Sequence, residues 1–148
     1  MPAAVNTFEI EAKSTSLAPL RKKLRSLLET SGFEAKVVHN LLLSVDEVVT
    51  NVIRHAYGEK AGAAGGNKIY LAVSDFADRV EIRVEDDGPF FDPLKAPPPQ
   101  LPREKPGGLG IYLVKSFTDE VHYEPREPRG NRLRLVKLKQ GKGRNSKP

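Results

Sequence analysis

In DEVVTNVIRHAYG, residues 46–58, Glu47 and Asn51 stand four apart, with Arg54 and His55 one turn further on. A carboxylate and a carboxamide at that spacing share one face of a helix. They can supply a general base and an oxygen ligand for magnesium, an ion that takes few protein oxygens and relies on phosphates and water for the rest. The competing reading is a solvated face, because amphipathicity is what any surface helix shows. Asn and Ser in the stripe, rather than the Lys/Glu pairs usual on an exposed helix, count against it.

Two glycine segments carry further chemistry. Val84-Glu-Asp-Asp-Gly88 closes a strand-like run with two carboxylates and a glycine. It reads either as a solvated Asp-Gly turn or as a pocket in which Asp86 accepts a hydrogen bond from a base amino group. Gly88 would then let the backbone pass close to the ligand. Gly107-Gly108-Leu109-Gly110 opens a short helix, IYLVKSF. Such a start offers backbone N–H groups and the positive end of a helix dipole to phosphate, or else serves as a hinge. It lacks the Gly-Lys-Ser/Thr ending of a Walker A loop, and no strand leads directly into it as a dinucleotide fingerprint requires.

The elements that position these residues follow from periodicity. Val5 to Glu11 alternates weakly and predicts a first, edge strand. Leu17, Leu20, Leu24, Leu27 and Leu28 repeat at helical spacing, with Ser14 to Ser16 as possible N-caps and Pro19 in the first turn. Ser31-Gly-Phe-Glu34 has the spacing of a capping box and predicts the start of a second helix running to about Tyr57, stopped by Gly58. On that helix Val38, Leu41, Leu42, Val45, Val48, Val49, Val52 and Ile53 occupy one arc. Asn40, Ser44, Glu47, Asn51, Arg54 and His55 form a polar stripe about 100° wide opposite them.

Ile69, Leu71 and Val73, then Val80, Ile82 and Val84, alternate with polar or smaller residues around a turn at Asp75 to Arg79, as in an antiparallel hairpin with one buried face. Pro89 to Pro106 is a proline-crowded loop carrying Lys95, Arg103 and Lys105. Its length is typical of functional lids or disordered connections. Asp119 to Tyr123 and Arg132 to Leu138 read as closing strands. The order β-α-α-β-β-loop-α-β-β predicts an α+β fold, a two-layer sandwich with helices on one face of a mainly antiparallel sheet.

The chain has 148 residues, 39% hydrophobic and 29% charged, which suits one ordinary globular domain. It has no cysteine, so disulfides and thiolate chemistry are excluded. No apolar run approaches the roughly 20 residues of a membrane helix, and MPAAVNTFEIEAK lacks a signal-peptide pattern. A soluble, cytoplasmic protein is expected. The net charge of +5 equals the five basic residues between Lys137 and Pro148, a stretch without acidic residues. The basic balance therefore belongs to a tail that reads as a solvated end, and nucleic-acid binding is not expected.

Taken together, E-x-x-x-N on a helix, D-x-G after a strand, a long loop and G-G-x-G opening a helix resemble the Bergerat-fold ATPases. Within them, SVDEVVTNVIRHAY, VEDDGPFFDP, GGLGIYLVKSFTDEVHY and NRLRLVKL most resemble the bacterial anti-sigma factor serine-protein kinases. The likeness runs from about Phe8 to Lys139. It implies one ATPase domain over residues 1–139, followed by a disordered basic tail over 140–148.

It further implies ATP and Mg2+ as ligands. Glu47 is implied as the base acting on a serine hydroxyl, Asn51 as the magnesium ligand, and Asp86 with Gly88 as the adenine contact. Gly107, Gly108, Leu109 and Gly110 would hold phosphate. One of Lys95, Arg103 and Lys105 would reach it from the lid, and Lys105 is counted with the predicted site. The implied partners are an anti-anti-sigma protein that is phosphorylated, a sigma factor that is sequestered, and a second copy in a homodimer. An ATP-dependent partner-binding switch without phosphotransfer is the alternative. Phe90 replaces a glycine usual after D-x-G, and Arg134 is read into the place where relatives often carry a threonine near the adenine aspartate. His55 is read as structural rather than as a phosphoacceptor.

Overall fold

A computed structural model describes residues 1–57, 67–95 and 110–139. Its order is β1 (Ala4–Glu11), α1 (Leu17–Thr30), α2 (Ala35–Asn51), β2 (Lys68–Asp75), β3 (Arg79–Asp86), α3 (Gly110–Phe117), β4 (Glu120–Pro125) and β5 (Asn131–Leu138). The five strands form one sheet in the order β1-β2-β3-β5-β4, antiparallel at every pairing, with β1 at one edge as expected.

Strand residues two apart share a face. The face turned to the helices is built from Ile69, Leu71 and Val73 of β2, Val80, Ile82 and Val84 of β3, and Leu133 and Leu135 of β5, all buried. Onto it pack Leu20, Leu24 and Leu28 of α1 and the predicted apolar arc of α2, of which Val38, Leu41, Leu42, Val45, Val48 and Val49 are buried and Val52 and Ile53 partly so. Each such leucine contributes roughly 1.5–3 kcal/mol relative to exposure. Among the described residues no helix is long and apolar enough to cross a membrane.

The helix ends differ from the sequence expectation. Ser31 does not cap α2: its hydroxyl and its N–H both bond the Leu27 carbonyl. Gly32 follows with φ +99°, a value that glycine adopts without the Cβ penalty. Ser31-Gly32 thus closes α1, and Glu34 flanks the start of α2 without a side-chain cap. The capping-box pattern fails because the same serine had a nearer orphan carbonyl to satisfy. At its other end α2 keeps α-helical bonding only to Asn51; Val52–Tyr57 winds as a π-helical turn.

Lys137 and Lys139, counted in the basic tail, belong to the fold. Lys137 lies in β5 with its ammonium 3.8 Å from Asp119, and the Lys139 ammonium lies 2.7 Å from Asp75. Residues 140–148, the predicted tail, lie outside the described residues, as does Gly58.

Candidate functional site

The alternation that buries β3 does not stop at Val84. Two residues on, the helix-facing position is Asp86, only 2% exposed. β5 does the same: Leu135 and Leu133 lead to Asn131, 7% exposed, and the register sets Asn131 directly opposite Asp86. A carboxylate and a carboxamide thus occupy the next row of the core-facing side, where they need hydrogen bonds to be tolerated.

They have them. Asp86 Oδ1 accepts from the Gly88 N–H at 2.8 Å and from Asn131 Nδ2 at 2.9 Å. Asn131 Nδ2 also donates to the Pro89 carbonyl at 2.8 Å. Its Oδ1 accepts from the Phe91 N–H at 2.8 Å and the Tyr123 hydroxyl at 2.5 Å. Asp86 Oδ2 receives no hydrogen bond from the described residues. Burial raises the Asp86 pKa above the usual value, the Asn131 and Gly88 bonds oppose this, Asp87 adds to the rise and Arg126 opposes it; the net direction is up.

The turn between β4 and β5 braces this strand end from outside. Arg126 donates to the Asp86 carbonyl at 2.6 Å and to Asp87 at 2.9 Å, and Arg129 donates to the Asp87 carbonyl at 2.7 Å. Gly130 has φ +116°, and a Cβ there would run into the Asp86 carbonyl.

Beside these groups lie two adjoining cavities. The first is walled by apolar Val48, Val84 and Leu133 and by Asp86, Asn131 and Tyr123. The second is lined by Glu47, Arg54, His55, Gly110 and Ile111. Asn51, Phe91 and Pro93 line both, so the recess is continuous, apolar at one end and polar at the other.

Glu47 and Asn51 of α2 therefore face the polar end, as their spacing predicts. Glu47 reaches over the first residue of α3: a Cβ on Gly110 would overlap its carboxylate, and the Glu47 carboxyl carbon would lie 3.2 Å from that atom. The Asn51 carboxamide makes no hydrogen bond to the described residues. His55, on the π turn, stacks on Phe91 with ring centroids 4.6 Å apart and planes 22° from parallel. Desolvation, then the nearby Arg54 charge, lowers the His55 pKa and favours the neutral ring.

The stripe is otherwise less wet than its pattern suggests. Ser44 is fully buried and its hydroxyl returns to the Asn40 carbonyl. Gly88 is spent inside the Asp86 turn through its N–H, while Phe90 is 52% exposed. Lys95 is exposed at the end of a short 3-10 turn. Lys105, Gly107, Gly108 and Leu109, with Arg103, lie outside the described residues.

One reading is corrected. Arg134 does not stand near Asp86: it pairs with Arg83 in the β3–β5 register and turns its guanidinium toward Glu81 on the outer face, 3.6 Å away. An odd separation from Asn131 along the strand puts it on the opposite side of the sheet. The residue beside the aspartate is Asn131, which the sequence reading missed. Its signal was the descending pattern N-x-L-x-L, a polar residue continuing an apolar face.

An antiparallel five-stranded sheet with helices on one face, and an aspartate ending a central strand beneath them, makes this an α+β sandwich of the Bergerat ATPase type. The family model described as the histidine kinase-like ATPase domain matches residues 10–137, and the chain belongs to that family. Among similar proteins is the serine-protein kinase RsbW of Bacillus cereus (strain AH187), 27% identical over 125 residues that cover 77% of this chain and 73% of the relative. The serine-protein kinase RsbW of Listeria innocua serovar 6a is 29% identical over 125 residues, covering 78% and 76%. A crystal structure of RsbU and RsbW domains from Mycobacterium tuberculosis superposes with a TM-score of 0.60 at 17% identity. It matches 93% of this chain, which spans 32% of that longer one; at that identity the likeness concerns the fold.

Proposed function

We propose that this protein is an ATP-dependent serine-protein kinase and anti-sigma factor, which phosphorylates a small anti-anti-sigma partner and sequesters a sigma factor. The observation that carries this is the continuous recess with Asp86 at its apolar end and Glu47 and Asn51 at its polar end. The base of ATP lies against Val48, Val84 and Leu133, with its amino group donating to Asp86. The triphosphate extends past Asn51 toward Glu47 and Gly110; Lys105, Gly107, Gly108 and Leu109 are assigned to phosphate on the family resemblance.

The Asn51 carboxamide, without a partner among the described residues, suits a magnesium ion that takes most of its ligands from phosphate and water. Bound there, the ion would neutralise phosphate charge. Glu47 takes the proton from the partner's serine hydroxyl. The serine oxygen bonds to the γ-phosphorus as the bond to the β–γ bridging oxygen breaks, and ADP leaves with that electron pair. Such transfer needs positioning and charge stabilisation more than covalent help from the protein. A single domain over residues 1–139, self-association into a homodimer and a cytoplasmic location belong to the same proposal.

The test is transfer of labelled phosphate from ATP to a serine-bearing anti-anti-sigma protein. Label on the partner, reduced ~10²-fold or more in Glu47→Ala while ATP still binds, is the expected result. An unlabelled partner that still forms an ATP-dependent complex would identify a binding switch without phosphotransfer.

A further inference from the structure

A cavity that reads a base through a single carboxylate oxygen must keep that oxygen from rotating away. An aspartate side chain turns about two bonds, and Asp86 has both of its hydrogen bonds on the same atom, Oδ1. One of them comes from the backbone two residues on and belongs to the turn itself. The other comes from Asn131, across the sheet. If Oδ1 is pinned between these donors, Oδ2 is left for a ligand.

The Asn131 amide is fully committed. Its two N–H bonds go to Asp86 Oδ1 and the Pro89 carbonyl, and its oxygen accepts from the Phe91 N–H and the Tyr123 hydroxyl. An amide has two donors and, at its oxygen, two acceptor sites. None is left for a ligand, although Asn131 lines the cavity. Tyr123 has no donor left for a ligand, since its hydroxyl proton is spent on Asn131. With the Asn51 carboxamide given to magnesium in the reading above, Asp86 Oδ2 is the polar group of the apolar cavity left to read a base edge, and as a carboxylate it can only accept.

We propose that Asn131 is the specificity-setting positioning residue of this site: it does not touch the base, but it orients Asp86 so that a lone acceptor selects purines with a 6-amino group over those with a 6-keto group. The assignment rests on the nucleotide reading given above. A keto oxygen facing a carboxylate oxygen leaves both without a donor, and buried unpaired polar atoms are what sites built on hydrogen bonds use to reject analogues. The same amide also fixes the carbonyl of Pro89 and the N–H of Phe91, so the orientation of Asp86 and the path of the chain into the loop are set by one side chain.

The experiment compares binding of ATP and inosine triphosphate, in which a carbonyl oxygen replaces the 6-amino group and the adjoining N1 changes from an acceptor to an N–H donor. Titration calorimetry with magnesium present would be run on the full chain, on Asn131→Ala and on Asn131→Leu. The wild type is expected to favour ATP by about 100-fold, the scale of one hydrogen bond to a charged group. In Asn131→Ala the preference is expected to fall to about 10-fold or less, because Asp86 is free to turn.

Asn131→Leu keeps the branched shape of the side chain and continues the apolar row of Leu133 and Leu135, but cannot donate to Asp86. It should lose the preference to a similar degree, and it decides the question if the alanine variant does not fold. A purely structural role would weaken both nucleotides by the same factor and leave their ratio unchanged; that result overturns the assignment while leaving the nucleotide site standing. A wild-type chain that binds neither triphosphate overturns the nucleotide reading and this assignment together.

Discussion

Asp86 stands where a strand facing the helices would otherwise carry an apolar side chain, and its burial works against its own charge. Because its folded-state pKa is raised, the folded protein holds the proton more tightly than the unfolded chain. Its contribution to stability is therefore greatest below the ordinary aspartate value of 3.8 and is lost as pH rises through the folded value. Asp86→Asn keeps an oxygen for Gly88 and Asn131 and removes the charge. This variant should be at least as stable as the wild type in denaturant titrations at pH 7, with the difference vanishing in acid. In the same variant ATP affinity should fall by ~10-fold or more, because an amide turned to keep those bonds offers the base a donor in place of an acceptor. Gly130→Ala tests the brace from outside. With φ +116° and a Cβ directed at the Asp86 carbonyl, it should lose at least about 1–3 kcal/mol in the same titrations.

Between elements, the decisive contact joins α2 to α3. Gly110 is the first residue of α3, and a side chain there would meet the Glu47 carboxylate rather than open space. In Gly110→Ala either the helix start or Glu47 must move. Phosphotransfer should fall by ~10-fold or more while the apolar end of the recess keeps its hold on the base, so kcat drops further than ATP affinity. Leu41→Ala, on the opposite face of α2, should cost roughly 2–5 kcal/mol of unfolding free energy, since Leu41 is fully buried.

The layout of helices and strands was legible because period-2 and helical patterns are local, and each strong apolar run became the expected element. The helix ends were less so. The Ser31 hydroxyl chose between two helices on grounds of distance, and nothing in VIRHAY marks a turn of π-helix. That turn places His55 against Phe91, a residue far away in the chain.

For the molecule as a whole, the two ends of the recess come from α2, β3, β4, β5 and α3, and a ligand spanning them must couple to global stability. At about 100 times its Kd, MgATP should add ~2.7 kcal/mol to unfolding. A domain of this size then melts several degrees higher in scanning calorimetry, and Asp86→Asn at the same MgATP concentration should show about half that rise or less. The outer face of the sheet carries a ladder of ion pairs, with Glu85 receiving Arg83, Arg126 and Arg132, and Glu81 receiving Arg79 and Arg134. Individually these contribute ~0–1 kcal/mol, so the fold rests chiefly on the apolar face between sheet and helices.

By itself the sequence determined the α+β layering, the shared face of Glu47 and Asn51, and the strand-end position of Asp86. Those follow from spacing along one segment, and spacing is all that a local pattern encodes. Only the tertiary structure decided which residue stands beside Asp86, because the pairing of β3 with β5 joins segments 45 residues apart at that rung. It sent Arg134 to the outer face, gave Asn131 its four partners, and brought Gly110 against Glu47. Register and close approach are set by the packing of the whole sheet and its helices, in which one residue's slip would exchange every inward side chain for an outward one.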